Sequence, residues 1–399
     1  MTEARYTLTA KLLHWFVAGL IVLQFILAEL AEDAATPLRE LALLANHKSV
    51  GITIMLLAAT RLLWRLFNRP PPLPDSMPRW QVTASQFSHW SLYALLFLMP
   101  VTGWLMSSAS AYSVSWFNLF QLPDLIGPDP DTEEFFEEIH ELLAWLLVAV
   151  ATVHVVAALK HAVMDKDGVF ARMTSGAMIG LFVATIGVGA WSLGTPGRAA
   201  NVPDSTTEQH GTHSDATDAT TDVGSGGSGG GPAPPAWDID FSDSYIQFTG
   251  YQSGASFDGS WEEWTADIRF SGAALDASSF DVRIETAQVE TNDDDRDSTL
   301  TDAEWFDPAN YPYARYAAQR FSANEDGSYT AHGELTIKGT TQPVDLDFSV
   351  ATEGDQRVLT GSAELLRLDF GVGTGEWEDT TWVRNEVSVA VRVSARGLR

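Results

Sequence analysis

The sequence predicts a multidomain membrane protein, an all-α bundle of four transmembrane helices with a fifth appended, followed by an all-β antiparallel barrel. Three observations predict it. Five apolar segments in the first half are long enough to cross a bilayer. A Ser/Thr/Asp-rich and then Gly-rich stretch separates the halves. From Trp237 onward apolar residues recur at every second position. At 399 residues the chain also exceeds what one small core accommodates.

The apolar segments cover residues 12–30, 50–67, 90–106, 142–159 and 177–193. The first follows a polar stretch without a clear small-residue cleavage site, so it reads as a retained helix and not as a cleaved signal peptide. Basic residues orient the set. Arg61, Arg65, Arg69 and Arg79 mark the end of the second segment and the connection after it, and Lys160, Lys166 and Arg172 follow the fourth, which makes both sides cytoplasmic. Asp124, Asp129, Asp131, Glu133, Glu134, Glu137 and Glu138 precede the fourth and read as an acidic loop on the opposite side. Five crossings from a cytoplasmic N-terminus then deliver the second half to the periplasm.

The expected division is 1–173 for the four-helix domain, 174–194 for the fifth helix, 195–236 for a linker and 237–399 for the barrel. A flexible coil of about forty residues has a root-mean-square span of roughly 35 Å, enough for a tethered domain to range over the membrane surface. His210 and His213 in this linker lack further ligands at a fixed spacing and read as disordered polar residues.

Composition excludes several chemistries. No cysteine is present, so disulfides, thiolate metal sites and thioether-linked haem are ruled out, leaving histidine as the ligand type for a metal cofactor. A net charge of −28 argues against a nucleic-acid partner, which needs Lys/Arg patches.

An ionisable residue in a bilayer is costly, so each membrane histidine needs a reason. His140 and His154 share the fourth segment, fourteen residues apart. On a helix that interval is about 21 Å of rise and leaves the two rings within roughly 40° of each other. His47 opens the second segment at the depth of His140, and His14 opens the first at the depth of His154. Two depth-matched pairs, His47/His140 and His14/His154, would each give an iron with two imidazole ligands and no open position, suited to electron transfer. The bland alternative for a single histidine is an interhelical hydrogen bond. His89 is an alternative partner for His154. His161, seven residues beyond His154, is either a surface residue or a proton-handling group beside a quinone.

In the second half, Trp237, Ile239 and Phe241 alternate with Asp238 and Asp240, as Val387, Val389, Val391 and Val393 do with their polar neighbours. Similar stretches near 264–270, 280–290, 316–321, 329–337, 344–350 and 358–366 suggest about eight strands in a sandwich or closed barrel, with a short helix near 301–306. Trp261, Trp264, Trp305, Phe306, Tyr311 and Tyr313 are candidates to line a lipophilic cavity, the alternative for each being ordinary core packing. His332, the one histidine of this half, lies on an expected strand and reads as a surface or core residue.

Certain motifs carry a family resemblance. Leu-Leu-His-Trp at His14, Asn-His-Lys-Ser-Val-Gly at His47, Ser-His-Trp-Ser-Leu-Tyr at His89, His140-Glu141-Leu142 and the His154 to His161 stretch resemble the bacterial diheme cytochrome b-561 family up to about Met173. The resemblance implies a bacterial inner-membrane location, two b-type haems on the pairs named above, and exchange with ubiquinone or menaquinone. Some members oxidise superoxide at the periplasmic face, but an acidic loop over His47/His140 would repel that anion. From Trp237 to Ala395 the chain is similar to the YceI-like family, through Val289-Glu290-Thr291-Asn292 with Arg296-Asp297, Trp305-Phe306-Asp307 running into Tyr311-Pro312, Leu335-Thr336-Ile337-Lys338-Gly339 with Pro343-Val344, and Asp369-Phe370. That resemblance implies a lipocalin-like barrel binding a polyisoprenoid chain. The combined expectation is an electron carrier coupled to the quinone pool and an unnamed protein redox partner, its barrel holding an isoprenoid lipid or the quinone tail. The alternatives are a membrane-anchored isoprenoid carrier without electron transfer, and a superoxide oxidase reducing ubiquinone.

Overall fold

The computed structural model describes residues 5–74, 77–194 and 234–396. The expected linker lies outside these except for its last three residues, and His210 and His213 lie outside them too.

Five helices are long and apolar enough to cross a membrane: α1 (Leu8–Glu32), α2 (Pro37–Phe67), α3 (Arg79–Ala109), α4 (Pro130–Lys160) and, after the short α5 (Val169–Met173), α6 (Gly176–Gly194). Their starts follow capping chemistry. Thr7 accepts from the Ala10 amide at 3.3 Å, Thr36 accepts from Arg39 at 3.4 Å, and Asp129 accepts from Asp131 at 3.2 Å, with Pro in the first turn of α2 and α4. The 31-residue helices are about 46 Å long and so extend beyond a hydrocarbon core of about 30 Å. For that reason the acidic stretch is mostly not a loop. Asp131, Glu133, Glu134, Glu137 and Glu138 occupy the first turns of α4, where carboxylates complement the positive end of the helix dipole.

Helix α1 packs between α2 and α6, and α3 packs on α4. Val17, Leu20, Leu23 and Leu27 of α1 meet Leu43, Val50, Ile54 and Ala58 of α2 in one buried cluster. Small residues allow α6 to approach closely: a Cβ on Gly19 would come within 2.8 Å of Thr185, and Leu23 fills the space beside Gly189. Cation–π contacts join α2 to α3, with Arg61 5.6 Å from the Tyr93 ring centre and Arg65 5.8 Å from that of Trp90. Leu142, Trp145, Val153, Val155, Val156 and Leu159 of α4 face outward, an apolar surface suited to lipid. A hairpin, β1 (Ser115–Trp116) and β2 (Phe120–Gln121), hangs from α2 through Ser49, whose hydroxyl donates to Ser115 O and accepts from the Phe117 amide.

The second half is one curled antiparallel sheet built from β3 (Asp238–Ile239), β4 (Tyr245–Gln252), β5 (Ala255–Trp261), β6 (Trp264–Arg269), β7 (Ser279–Glu285), β8 (Val289–Glu290), β9 (Tyr313–Ala323), β10 (Tyr329–Ile337), β11 (Thr340–Glu353), β12 (Gln356–Leu366) and β13 (Glu386–Arg396). Strand order is β6-β7-β9-β10-β11-β12-β13-β4-β5-β8, with β3 paired to β13. Among the described strands the two ends, β6 and β8, do not pair, so the sheet is a half-barrel. The Trp237 amide donates to Ile268 O of β6 at 2.8 Å while Ile239 pairs with Ala395 of β13, and this leading segment covers part of the open side. The expected strand at 280–290 divides at Thr286, whose hydroxyl donates to Tyr311 O at 2.8 Å. The short helix lies earlier than expected, at α7 (Asp294–Leu300), because Asp293 caps it by accepting from the Arg296 amide at 2.7 Å; residues 301–306 form turns.

A buried guanidinium gathers the loop that closes one end. Arg367 is 5% exposed and donates to the carbonyls of Arg384, Val372, Gly373, Trp377 and Val383 at 2.5–3.0 Å, against the Trp305 ring. Burial pushes its pKa down to about 10, so it stays charged at neutral pH.

The barrel seats on the outer end of α2 and on the hairpin. Leu38 belongs to the same apolar cluster as Trp305, Trp377 and Val383, and Gln121 Oε1 accepts from the Ser256 amide at 3.1 Å. Between them the Tyr112 ring is met by two cations, Lys48 at 5.3 Å from its centre and Arg296 at 4.9 Å. Lys48 also donates to Ser107 Oγ at 2.8 Å, and Arg296 to Thr291 Oγ1, Thr291 O and Gln252 Oε1. Burial holds the Asp293 carboxyl above the ordinary carboxylate range, with Arg296 opposing the shift.

Arg367→Leu strands five carbonyls and should cost on the order of 3–5 kcal/mol, read as a lower urea midpoint for the tryptophan fluorescence transition; an unchanged midpoint contradicts it. For Asp293 the raised folded-state value means that its protonated form favours folding. Its contribution is complete below about 3.9, the unfolded-state value, and is lost as pH rises through the folded one. Asp293→Asn keeps the helix cap and should therefore raise stability at pH 7 but not at pH 3, by the same melt.

Candidate functional site

Helix α4 places His140, Leu147 and His154 at intervals of seven, two turns each, so all three lie on one face. Leu147 is the single buried residue of that helix. It separates two levels, at each of which a second histidine approaches. The His47 and His140 ring centres are 6.5 Å apart at 64°, and those of His14 and His154 are 6.3 Å apart at 74°.

These separations allow a chemical test. Two imidazoles on opposite sides of one metal, with bonds of about 2 Å and roughly another ångström from each nitrogen to its ring centre, have centres about 6 Å apart. Both pairs match. The outer pair also has its tautomers set. His47 Nδ1 lies 3.2 Å from Gln24 O, which can only accept, so Nδ1 carries the proton. The Thr102 hydroxyl donates to Met99 O at 3.0 Å and therefore accepts from His140 Nδ1 at 3.1 Å. In both rings Nε2 is left with its lone pair, the form a metal requires. Gly103 leaves room beside this pair, since a Cβ there would stand 3.0 Å from the His140 ring. The residues present fit an iron held between two neutral imidazoles at each level.

His89 stands 5.3 Å from His154, closer than a shared metal allows and in the range of direct ring contact. His161 follows α4 in a wider helical turn, His161–Asp165. Its Nδ1 lies 2.6 Å from Asp167 Oδ2 and 3.2 Å from Asp165 Oδ2, and Lys160 holds Asp165 at 2.5 Å. Sequence reasoning singled out His161 but missed its carboxylates. They were hidden because the turn that brings them back is not an α-helical one. His332 is held by Ser322 and Asp345 on the barrel surface.

Inside the half-barrel is an apolar cavity of about 120 Å³. Trp261, Trp264 and Phe306 line it, together with Ile246, Ala363 and Val391. Tyr316 also lines it, but its hydroxyl donates to Ala331 O and Val344 O, so the walls present carbon. Three of the sequence candidates lie elsewhere. Trp305 packs on Trp377 and Arg367 in the closing loop. Tyr313 is on the outward parity of β9, against Arg283, while Ala314 and Tyr316 point in. Tyr311 is half-exposed, its ring against Gly339.

Residues 5–176 match the prokaryotic cytochrome b561 family and residues 237–395 the YceI-like domain. Over 128 residues the chain is 37% identical to cytochrome b561 homolog 2 of Escherichia coli K12, covering 32% of this chain and 68% of that one. It is 29% identical to a probable superoxide oxidase, CybB, of Yersinia pestis, covering 40% of this chain and 90% of that one. Among solved structures, BcnA of Burkholderia cenocepacia is 28% identical with a TM-score of 0.39, covering 40% of this chain and 99% of that one. A family of b-type haem proteins, five apolar helices and two imidazole pairs meet in the first half, and a curled sheet around an apolar cavity forms the second. The chain belongs to the bacterial cytochrome b561 family of inner-membrane electron carriers and bears a YceI-like domain after its last helix.

Proposed function

We propose that the chain carries electrons across the inner membrane through two bis-histidine b-type haems coupled to the quinone pool, while its barrel binds an isoprenoid lipid or the quinone tail. The observation that carries this reading is the pair of imidazole sites stacked on α4, 6.3 Å and 6.5 Å between ring centres. His47 and His140 hold the outer group, His14 and His154 the inner one. When bound, each haem would supply a one-electron couple suited to electron transfer. Gln24 O and Thr102 orient the outer rings, and Leu147 keeps the two levels apart. The match of the His14/His154 distance to a shared metal supports His14 over His89 as the inner ligand. His161 with Asp167 forms a carboxylate–imidazole pair that can hold a proton for a quinone at the inner level.

Orientation and domain division belong to the same proposal. Arg61, Arg65, Lys160 and Arg172 gather at the inner end, and Arg172 donates to Pro72 O at 2.7 Å, which supports a cytoplasmic N-terminus and a periplasmic barrel. The four-helix domain ends near residue 173 and the barrel begins near 237. The carbon-lined cavity supports an apolar guest, an isoprene chain being the class the domain family suggests.

A second reading, superoxide oxidation with ubiquinone as acceptor, is favoured by the resemblance to the Yersinia pestis protein. The carboxylates of α4 and Asp293 oppose it at the outer face. Haem reduction by superoxide should be slow at low salt and accelerate as salt screens the repulsion; fast, salt-insensitive reduction would favour the second reading.

Reduction of the purified full chain by a quinol, followed in the visible spectrum, tests the leading reading. His140→Ala should remove one bis-histidine signal and His154→Ala the other, each leaving about half the haem; two haems retained in both variants refutes the pairing. A wild-type protein without any such signal would leave an anchored lipid carrier. Ala363→Trp should fill the cavity and abolish uptake of an isoprenoid quinone by the barrel while sparing both haem signals.

A further inference from the structure

On α2, Arg61 follows His47 by fourteen residues, the same interval that separates His140 from His154 on α4. The turn count places Arg61 on the face of His47 and one level inward, at about 21 Å. It is within electrostatic reach of His14, His89 and His154, so a guanidinium stands at the inner pair in the place where the outer level has a histidine. Arg61 lies 5.6 Å from the Tyr93 ring centre, and among the described residues it forms no ion pair with a carboxylate. One turn further on, Arg65 adds a second cation over Trp90.

The outer level is different. Lys48 there faces Glu133 and Asp293, and further carboxylates occupy the first turns of α4. Arg61 thus stands at the inner pair without a carboxylate paired to it among the described residues, whereas Lys48 at the outer pair is faced by Glu133 and Asp293 as well as Arg296. A cation inside a bilayer is costly unless it has a function or a partner.

Resting on the two-haem reading, we infer that Arg61 sets the direction of electron flow by holding the reduction potential of the inner His14/His154 site above that of the outer one. An electron added to the inner iron is stabilised by the guanidinium, and a unit charge about 10 Å away in a medium of effective dielectric near 20 shifts such an equilibrium roughly tenfold. One electron given up at the outer pair is then taken up at the inner pair downhill, with no bond made or broken. Arg61 acts through the site's electrostatics and is a positioning residue, not a ligand.

The experiment is a spectroelectrochemical titration of the full chain in detergent, with His140→Ala and His154→Ala assigning the two midpoints. Arg61→Gln should lower the inner midpoint by the equivalent of a tenfold change, about 59 mV for one electron, and leave the outer one in place. Arg61→Lys should stay near wild type. Two haems retained with an unmoved inner midpoint, or a shift confined to the outer haem, overturns the inference. Should Arg61→Gln lose the inner haem, Arg65→Gln is read instead: a smaller fall at the same midpoint supports the inference, and no fall overturns it. Wild-type protein lacking bis-histidine signals would overturn the functional reading itself, an outcome distinct from two haems with unshifted potentials.

Discussion

The cost of an imidazole in hydrocarbon is the constraint on which the membrane half depends. Each of the stacked histidines must face inward and meet a partner, which limits how α4 can rotate. Its face with His140, Leu147 and His154 meets the histidines of α1 and α2, a neighbouring side packs on α3, and much of the remainder is left to lipid. The remaining helices then take their places by ordinary means. Small residues bring α6 against α1, and arginine–aromatic contacts tie α2 to α3. None of these contacts is strong alone, since apolar burial gives little advantage between helices already in a lipid-like medium. The histidine pairs add a specific reason for the bundle's register, beside side-chain hydrogen bonds such as Asn46 to Leu193 O and Lys48 to Ser107.

The barrel is stabilised differently. Strand alternation buries one face and leaves the other polar, and the curl of the sheet produces the cavity. Arg367 closes one end by gathering carbonyls from both sides of a loop whose regular structure is limited to two short 3-10 turns, Arg367–Phe370 and Gly375–Glu378. A fully apolar residue could not do this, because the loop's carbonyls would be buried without donors.

Where the halves meet, Lys48, Tyr112 and Arg296 make a cation–ring–cation cluster next to the outer histidine pair. Lys48 neighbours His47 in sequence, and Arg296 belongs to the barrel. The cluster therefore links the position of the barrel to the surroundings of the outer site. An apolar cavity and the His47/His140 pair are brought to the same end of the helix bundle.

Much of this was legible in the sequence, because two periodicities dominate it. The interval between His140 and His154 and the depths of His14 and His47 identified the rings that come together, since helix geometry makes depth a linear function of residue number. Strand alternation marked Trp264, while Trp261 and Phe306 stood out only as aromatics near a break in the strands; all three line the cavity. Tyr313 escaped that logic by parity, Trp305 because it lies in a loop. Arg367, the Tyr112 cluster and the carboxylates around His161 were decided by tertiary structure alone. Each depends on groups distant in sequence or on an irregular turn, and hydrogen bonds to backbone carbonyls leave no trace in residue type. The sequence by itself determined which residues lie at which depth and on which face; the fold decided which charges stand opposite them, because electrostatic partners are chosen by proximity in space and not by spacing along the chain.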